Sequence, residues 1–290
     1  MGREAMTADF TALQLPVYAA DVWAGNTVDP DGVEWWVTKE QGWNDTPDMR
    51  LGLVNKARAD GAFDSPGYRS PRVITLEGLA IAPSWQAKEL AKNRLAAVFT
   101  DATALGTFQV REQLFTRQVQ ARLSGHAKMS DRTRATFEWS LQITAPDPMR
   151  YGSVAYQQNC GLPQPAAGLT FPLAFPLDFG NPVGGSLLLT NQGTAPARPV
   201  WTIQGPCAQP TIVNQNTGQR LSFSLRLGAE TLYVDTAART VLLGDASRRS
   251  ALDPGSSWFT LPPGSTSVAF EAADGTDTAR LVAYWRDTWI

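Results

Sequence analysis

Histidine occurs once in this 290-residue sequence, at His126, and cysteine twice, at Cys160 and Cys207. A zinc site built from these residue types is therefore nearly excluded. Spacing alone leaves pairing of the cysteines open, and two free, buried or half-buried thiols are the simpler expectation. Lysine is few in number too, with 5 residues against 20 arginines, and the bases are scattered along a chain of net charge −2. No basic field exists to hold phosphates, so sequence-specific nucleic-acid binding is not expected. A long apolar run is missing too: the stretch 169–179 is broken by Pro172 and Pro176, which excludes it as a membrane-spanning helix. Arg3, Glu4 and Asp9 precede any apolar run, so no signal peptide is expected and the chain should fold in a cytoplasm.

The inventory for chemistry is equally thin. His126 falls in the predicted loop Gly125-His126-Ala127-Lys128, where neither a nucleophile nor a third, orienting group is at hand. Leu51-Gly52-Leu53-Val54 and Val183-Gly184-Gly185-Ser186 lack the strand-to-helix setting and the lysine of a phosphate loop. Asp29, Asp31 and Gly32 faintly suggest calcium, but the other ligands of a loop site are absent. Carboxylate pairs remain open, since 27 acidic residues allow more pairings than a sequence resolves. The expectation is a chain with no catalytic, metal or cofactor site.

What is present is alternation and punctuation. A 43% hydrophobic content with 20 prolines and 24 glycines fits an ordered, turn-rich protein of two domains. Leu221, Phe223, Leu225 and Leu227 alternate with Ser222, Ser224 and Arg226, and 232–235 and 268–271 repeat the pattern between turn formers. Short strands so spaced indicate an antiparallel β-sandwich over 186–290. In the first half, 17–23 and 33–38 read as strands joined through the turn Asp29-Pro30-Asp31-Gly32, after a loosely held arm over 1–16. Trp35 and Trp36 are adjacent on the second strand, so one should leave the core of its own sheet. Ser84 caps a helix over about 84–103, with Ala87, Leu90, Ala91, Leu95 and Val98 on one face. The runs 119–123 and 135–143 form a long hairpin over the loop 124–131. A stretch rich in proline and glycine, 153–185, reads as a stiff linker between an N-terminal domain, 1–152, and the sandwich.

Several of these residues carry a resemblance. Asn191-x-Gly193-Thr194, Pro196, Pro199, Ile203-x-Gly205-Pro206, Pro210-x-Ile212-x-Asn214, Thr217-Gly218, Leu232-x-Val234-Asp235, Arg239-x-Val241, Ser257-Trp258-x-x-Leu261, Gly264 and Tyr284-Trp285-Arg286-x-x-Trp289 resemble, in order and spacing, the distal tail protein of long-tailed bacteriophages. Gly61-Ala62-Phe63 and 66–78 add to the likeness. The family often has Asn two residues after the glycine at Gly264, where Thr266 stands here.

The resemblance implies a mainly β fold: a ring-forming N-terminal β domain with one helix and a C-terminal galectin-like sandwich. It also implies a structural, non-enzymatic role at the tail tip or baseplate of a virion assembled in a host cytoplasm. There a homohexameric ring would join the tail tube protein to the hub, or tail-associated, protein around the DNA channel, with the tape measure protein as a further candidate partner. Candidate subunit-interface residues are Trp35, Trp36 and Arg72, the last as a bidentate partner for a carboxylate across the contact. The alternative is a virion glycan-binding protein for host adsorption, with Trp201, Trp258, Tyr284, Trp285 and Trp289 as stacking candidates.

Overall fold

The computed structural model describes residues 9–13, 23–163 and 185–290. The chain divides into two compact units, one of residues 1–153 with Ile290 and one of residues 154–289. The strand expected over 17–22 and the part of the expected linker over 164–184 lie outside the described residues.

The first unit runs β1 (Asp9–Leu13), β2 (Trp23–Ala24), β3 (Thr27–Val28), β4 (Glu34–Gln41), β5 (Met49–Arg50), β6 (Val54–Asn55), β7 (Ala62–Phe63), β8 (Tyr68–Arg69), β9 (Arg72–Ile81), α1 (Trp85–Ala96), β10 (Gly106–Arg111), β11 (Thr116–Leu123), β12 (Lys128–Asp131), β13 (Thr136–Ala145) and β14 (Arg150–Gly152). Its main sheet has the order β2-β1-β10-β11-β13-β9-β4-β3. The centre is the ten-residue antiparallel ladder of β9 and β13. Both strands alternate: Ile74, Leu76 and Ala80 of β9 and Phe137, Trp139, Leu141 and Ile143 of β13 are buried, and their neighbours face outward. Trp139 fits because residue 78 is glycine: a Cβ there would lie 2.5 Å from the Trp139 ring and 2.0 Å from the Trp36 carbonyl oxygen. Around that ring, Trp23 and Trp35 stand edge-on with centroids 5.1 and 6.1 Å away, the favoured aromatic geometry.

Four sequence expectations change in this unit. Residues 9–13 form a strand paired with β10 rather than part of a loose arm. The long hairpin is replaced: β11 meets β13 at only two pairs, Arg122↔Thr144 and Leu123↔Ile143, while β12, inside the expected loop, pairs with β13. The ladder with β9 occupies the other edge of β13, and β11 spends its length on β10. The helix is capped by the Ser84 side chain, which accepts from the Ala87 amide at 3.1 Å, but it ends at Ala96. Phe99 takes a positive φ of 57°, and Asp101 accepts from the Thr103 and Ala104 amides, a turn that competes with helix. The buried face also differs, because Leu90 is exposed and Lys88 is buried with its ammonium 3.1 Å from Asp131.

The second unit runs β15 (Tyr156–Gly161), β16 (Ser186–Asn191), β17 (Val200–Gln204), β18 (Cys207–Ala208), β19 (Thr211–Asn214), β20 (Arg220–Ser222), β21 (Arg226–Leu227), β22 (Thr231–Asp235), β23 (Thr240–Leu243), β24 (Ala246–Ser247), β25 (Gly264–Glu271), β26 (Asp274–Gly275) and β27 (Arg280–Trp285). One sheet has the order β15-β27-β17-β22-β23-β24, another β16-β25-β19-β20, and a small third β21-β18-β26. Trp201, Ile203, Leu232, Val234, Leu281 and Ala283 of the first share a buried core with Leu189, Ile212, Leu221, Val268 and Phe270 of the second, the packing of a β-sandwich. β15 arises within the expected linker, where Tyr156 stacks on Trp285 at 5.6 Å. The run 221–227 is two strands, not one. It leaves β19 after Ser222, bridges Leu252 through Phe223, and joins β18 at Arg226 and Leu227.

Candidate assembly surface

Between β4 and β9 the chain leaves the sheet as an arm. β5 pairs with β8 and β6 with β7, so 49–69 is a long narrow hairpin. None of its residues is buried, and Met49, Leu51, Leu53, Val54, Phe63 and Tyr68 are each at least half exposed. A two-stranded ribbon of this kind has no hydrophobic face of its own to bury.

The root of the arm is tightly held. Arg72 lies at the returning end, 2% exposed, and its Nη1 donates to the carbonyls of Gly42 (2.7 Å), Trp43 (3.0 Å) and Asp45 (2.7 Å) at the outgoing end. Its Nε donates to Pro148 O at 2.9 Å. Trp43 is the packing partner: its indole donates to Glu112 at 2.7 Å, its amide to Glu40 at 2.6 Å, and its ring stands 5.7 Å from Phe108. The Arg150 guanidinium lies 5.5 Å over the same ring and also donates to Trp43 O. Burial, reinforced by the neighbouring Arg117 and Arg72 charges, lowers Arg150 to about 10. Burial and Arg117 lower Arg72 in the same direction. Both remain cations at neutral pH.

Beside the root is an open cleft of about 620 Å³. One wall is the edge of β4 from Val37 to Glu40 with Trp43 and Asn44; the other is Val110, Glu112 to Phe115 and Arg117. Leu114 at its rim is 85% exposed, and Arg117 forms an ion pair with Glu112 inside. On that edge β3 pairs only with Glu34 and Trp35, so among the described residues 38–41 have no strand partner there.

The sequence-predicted site residues fall as follows. Trp35 is 2% exposed and belongs to the core, its indole 3.1 Å from Asp29. Trp36 points to the other face, half-buried, beside Leu79 on β9 and bonded to Glu34. Arg72 does not reach outward: backbone carbonyls of its own unit take the place of the expected carboxylate. Asp29 accepts from Trp35, from the Asp31 and Val33 amides and from Arg94, which also pairs with Asp31. Arginine thus stands where calcium was faintly suggested. His126 is exposed in the connection between β11 and β12. Cys160 and Cys207 are free and buried, and burial pushes the Cys160 thiol up to about 11. Of the sugar-stacking candidates, Trp201, Trp285 and Trp289 are buried, Trp258 is partly so, and Tyr284 is 39% exposed. The arm and cleft were missed because their signal is negative: an apolar hairpin carries the same residues as a buried one.

The described residues form two β-rich units, the first with a clamped, exposed apolar hairpin and an open cleft beside its root. Residues 192–289 match the family described as siphovirus-type tail component, C-terminal domain. The solved structure of the Dit (gp 19.1) protein of phage SPP1, described as a paradigm of the hub adsorption apparatus in phages infecting Gram-positive bacteria, matches with a TM-score of 0.62 at 13% identity. That match covers 97% of this chain and 99% of the other. Chains of the phage P2 baseplate in its activated conformation, with Ca and with Sr, give TM-scores of 0.47 and 0.44 at 10% and 9% identity, each over 96% of this chain and 98% of the other. No curated protein sequence matches. Residues 192–289 are thus similar to the siphovirus-type tail component's C-terminal domain, and the chain as a whole shares the fold of the SPP1 Dit protein.

Proposed function

We propose that the protein is a structural, non-enzymatic component of the tail tip, a homohexameric ring that adapts the tail tube to the hub, or tail-associated, protein around the DNA channel of a virion. The observation that carries this reading is the tail-component match over 192–289 in a chain whose whole length has the distal tail protein fold. The first unit would form the ring and the sandwich would extend from it. The tape measure protein is a further candidate partner, and assembly would take place in the host cytoplasm. Trp36 is retained as an interface residue on the outer face of the sheet, whereas Trp35 and Arg72 act within the chain.

Head-to-tail contacts close into a ring when the rotation per subunit divides a full turn. Light scattering on the full chain at high concentration tests the assembly: a mass six times the 31.5 kDa of one chain is expected. A monomer under all conditions, including with tube or hub protein present, would contradict the ring.

A further inference from the structure

We propose that one end of the six-stranded sheet of the second unit binds a linear polymer carrying one phosphate per repeat. A row of exposed arginines, Arg198, Arg239, Arg248 and Arg249, would hold it. The inference concerns the sandwich alone and stands apart from the ring reading.

The four arginines are scattered in sequence and gathered by the fold. Val200 of β17 lies opposite Asp235 of β22, Asp235 lies opposite Thr240 of β23, and the Arg248 amide donates to Val241 O at 2.8 Å. Arg198 precedes β17 at this end, where Pro199 O accepts from the Thr236 hydroxyl at 2.6 Å. Arg239 occupies the turn between β22 and β23, and Arg248 and Arg249 follow β24. Arg249 Nη1 donates to Arg239 O at 3.2 Å. Since β17, β22, β23 and β24 are consecutive in the sheet, the row crosses three strand spacings, about 15 Å.

Ion pairs do not neutralise this row. All four residues are exposed, and among the described residues none of them pairs with a carboxylate. Of the carboxylates at this end, Asp235 accepts from the Ala237 and Ala238 amides at 2.7 and 2.9 Å, and Asp287, 3% exposed, accepts from the Gln192 amide at 2.8 Å. Glu230, Asp245 and Asp277 lie beyond the opposite end of the same strands. Charge is therefore separated along the sheet, and a local positive field exists within a chain of net charge −2. Arg239 keeps its place at a φ of 53°, in the left-handed region that favours glycine. A long cation held in a costly backbone conformation is an outlier of the kind that points to use.

The partner's chemistry follows from what the row has and lacks. The second unit contains no lysine, and the arginine fork meets phosphate through two parallel hydrogen bonds. A protein partner would need a buried apolar anchor at the contact, but the residues beside the arginines are Ala237, Ala238, Thr240 and Ser250. Cations in a line without an anchor suit a polyelectrolyte, which binds through its row of charges and the counterions it releases.

Long-chain inorganic polyphosphate, titrated into the full-length protein by calorimetry, tests this. Four charge contacts predict that affinity falls roughly 50-fold between about 50 and about 200 mM salt. The variant with Arg239→Gln, Arg248→Gln and Arg249→Gln should bind about ten-fold more weakly or worse. A control with Arg58→Gln, Arg134→Gln and Arg226→Gln, which removes the same charge from exposed positions elsewhere, should bind as the wild type does. Thermal melting checks that each is folded, and Arg248→Gln with Arg249→Gln, which leaves the Arg239 turn intact, gives the same reading if the triple variant is not. Equal weakening in the control would reduce the effect to net charge and overturn the site. Polyglutamate binding as tightly as polyphosphate would overturn the phosphate assignment in favour of an acidic protein segment, and no binding of polyphosphate at low salt would overturn the inference outright. None of these outcomes bears on the ring.

Discussion

Arg72 donates to four backbone carbonyls from two segments that are far apart in sequence, and only the Trp43 carbonyl has a second donor, Arg150, among the bonds described. Arg72→Met should therefore destabilise the first unit by about 3 kcal/mol, chiefly by leaving buried acceptors unpaired. Urea unfolding monitored by tryptophan fluorescence measures it, and an unchanged midpoint would contradict the clamp. Asp131 is held below the usual carboxylate range, first by its hydrogen bond with Lys92 and then by Lys88. A depressed carboxyl contributes stability that is present above its unfolded pKa and lost as pH falls through the folded one. Melting temperature should consequently fall more between pH 5 and pH 2, a window chosen around ordinary carboxylate values, in the wild type than in Asp131→Asn. Parallel acid profiles of the two proteins would remove Asp131 from the account. Single residues were the least legible scale of the sequence. Arg72 looks the same in a sequence whether it faces a neighbouring carboxylate or a turn of its own chain, and only the fold brings Gly42 and Pro148 to it.

Strand alternation was legible where one face is buried along the whole run, as in β13 and β22, because a period of two follows from the pleat itself. It failed at element ends and at corners. Residues 221–227 keep perfect alternation while changing partners, since side-chain direction survives a bend that the hydrogen-bond ladder does not. The helix end was misjudged for the opposite reason: Leu95 and Val98 continue the spacing, but Phe99 and Asp101 have already left helical geometry. Gly78 gives the sharpest test at this scale. A methyl group there meets the Trp36 carbonyl and the Trp139 ring, so Gly78→Ala should cost about 2–3 kcal/mol by overpacking. A melting temperature equal to wild type would show that β4 and β9 separate more freely than their register implies. The sandwich offers another test through β15, which pairs with β27 and stacks Tyr156 on Trp285. A fragment of residues 154–290 should melt cooperatively and at a higher temperature than one of residues 186–290. Equal melting temperatures would mean that this edge strand adds nothing to the core.

At the scale of the whole molecule, composition removed more possibilities than it supplied, and the order and spacing of turn residues over 191–289 pointed to the distal tail proteins. Which apolar side chains stay outside was not legible, because Leu53, Phe63 and Leu114 look like core residues until the fold leaves them exposed. The glycan-adsorption alternative loses most of its stacking residues to the core, and an array probed with the full chain should show no saturable sugar binding. Tight binding would instead give the face around Tyr284 a role that the assembly account lacks. The central claim is that copies of this chain close head to tail into a six-membered ring with an open channel. Electron-microscope images of the purified full-length protein test it most directly: class averages should show six-fold rings with a central hole, whereas isolated single chains, or filaments that never close, would contradict it.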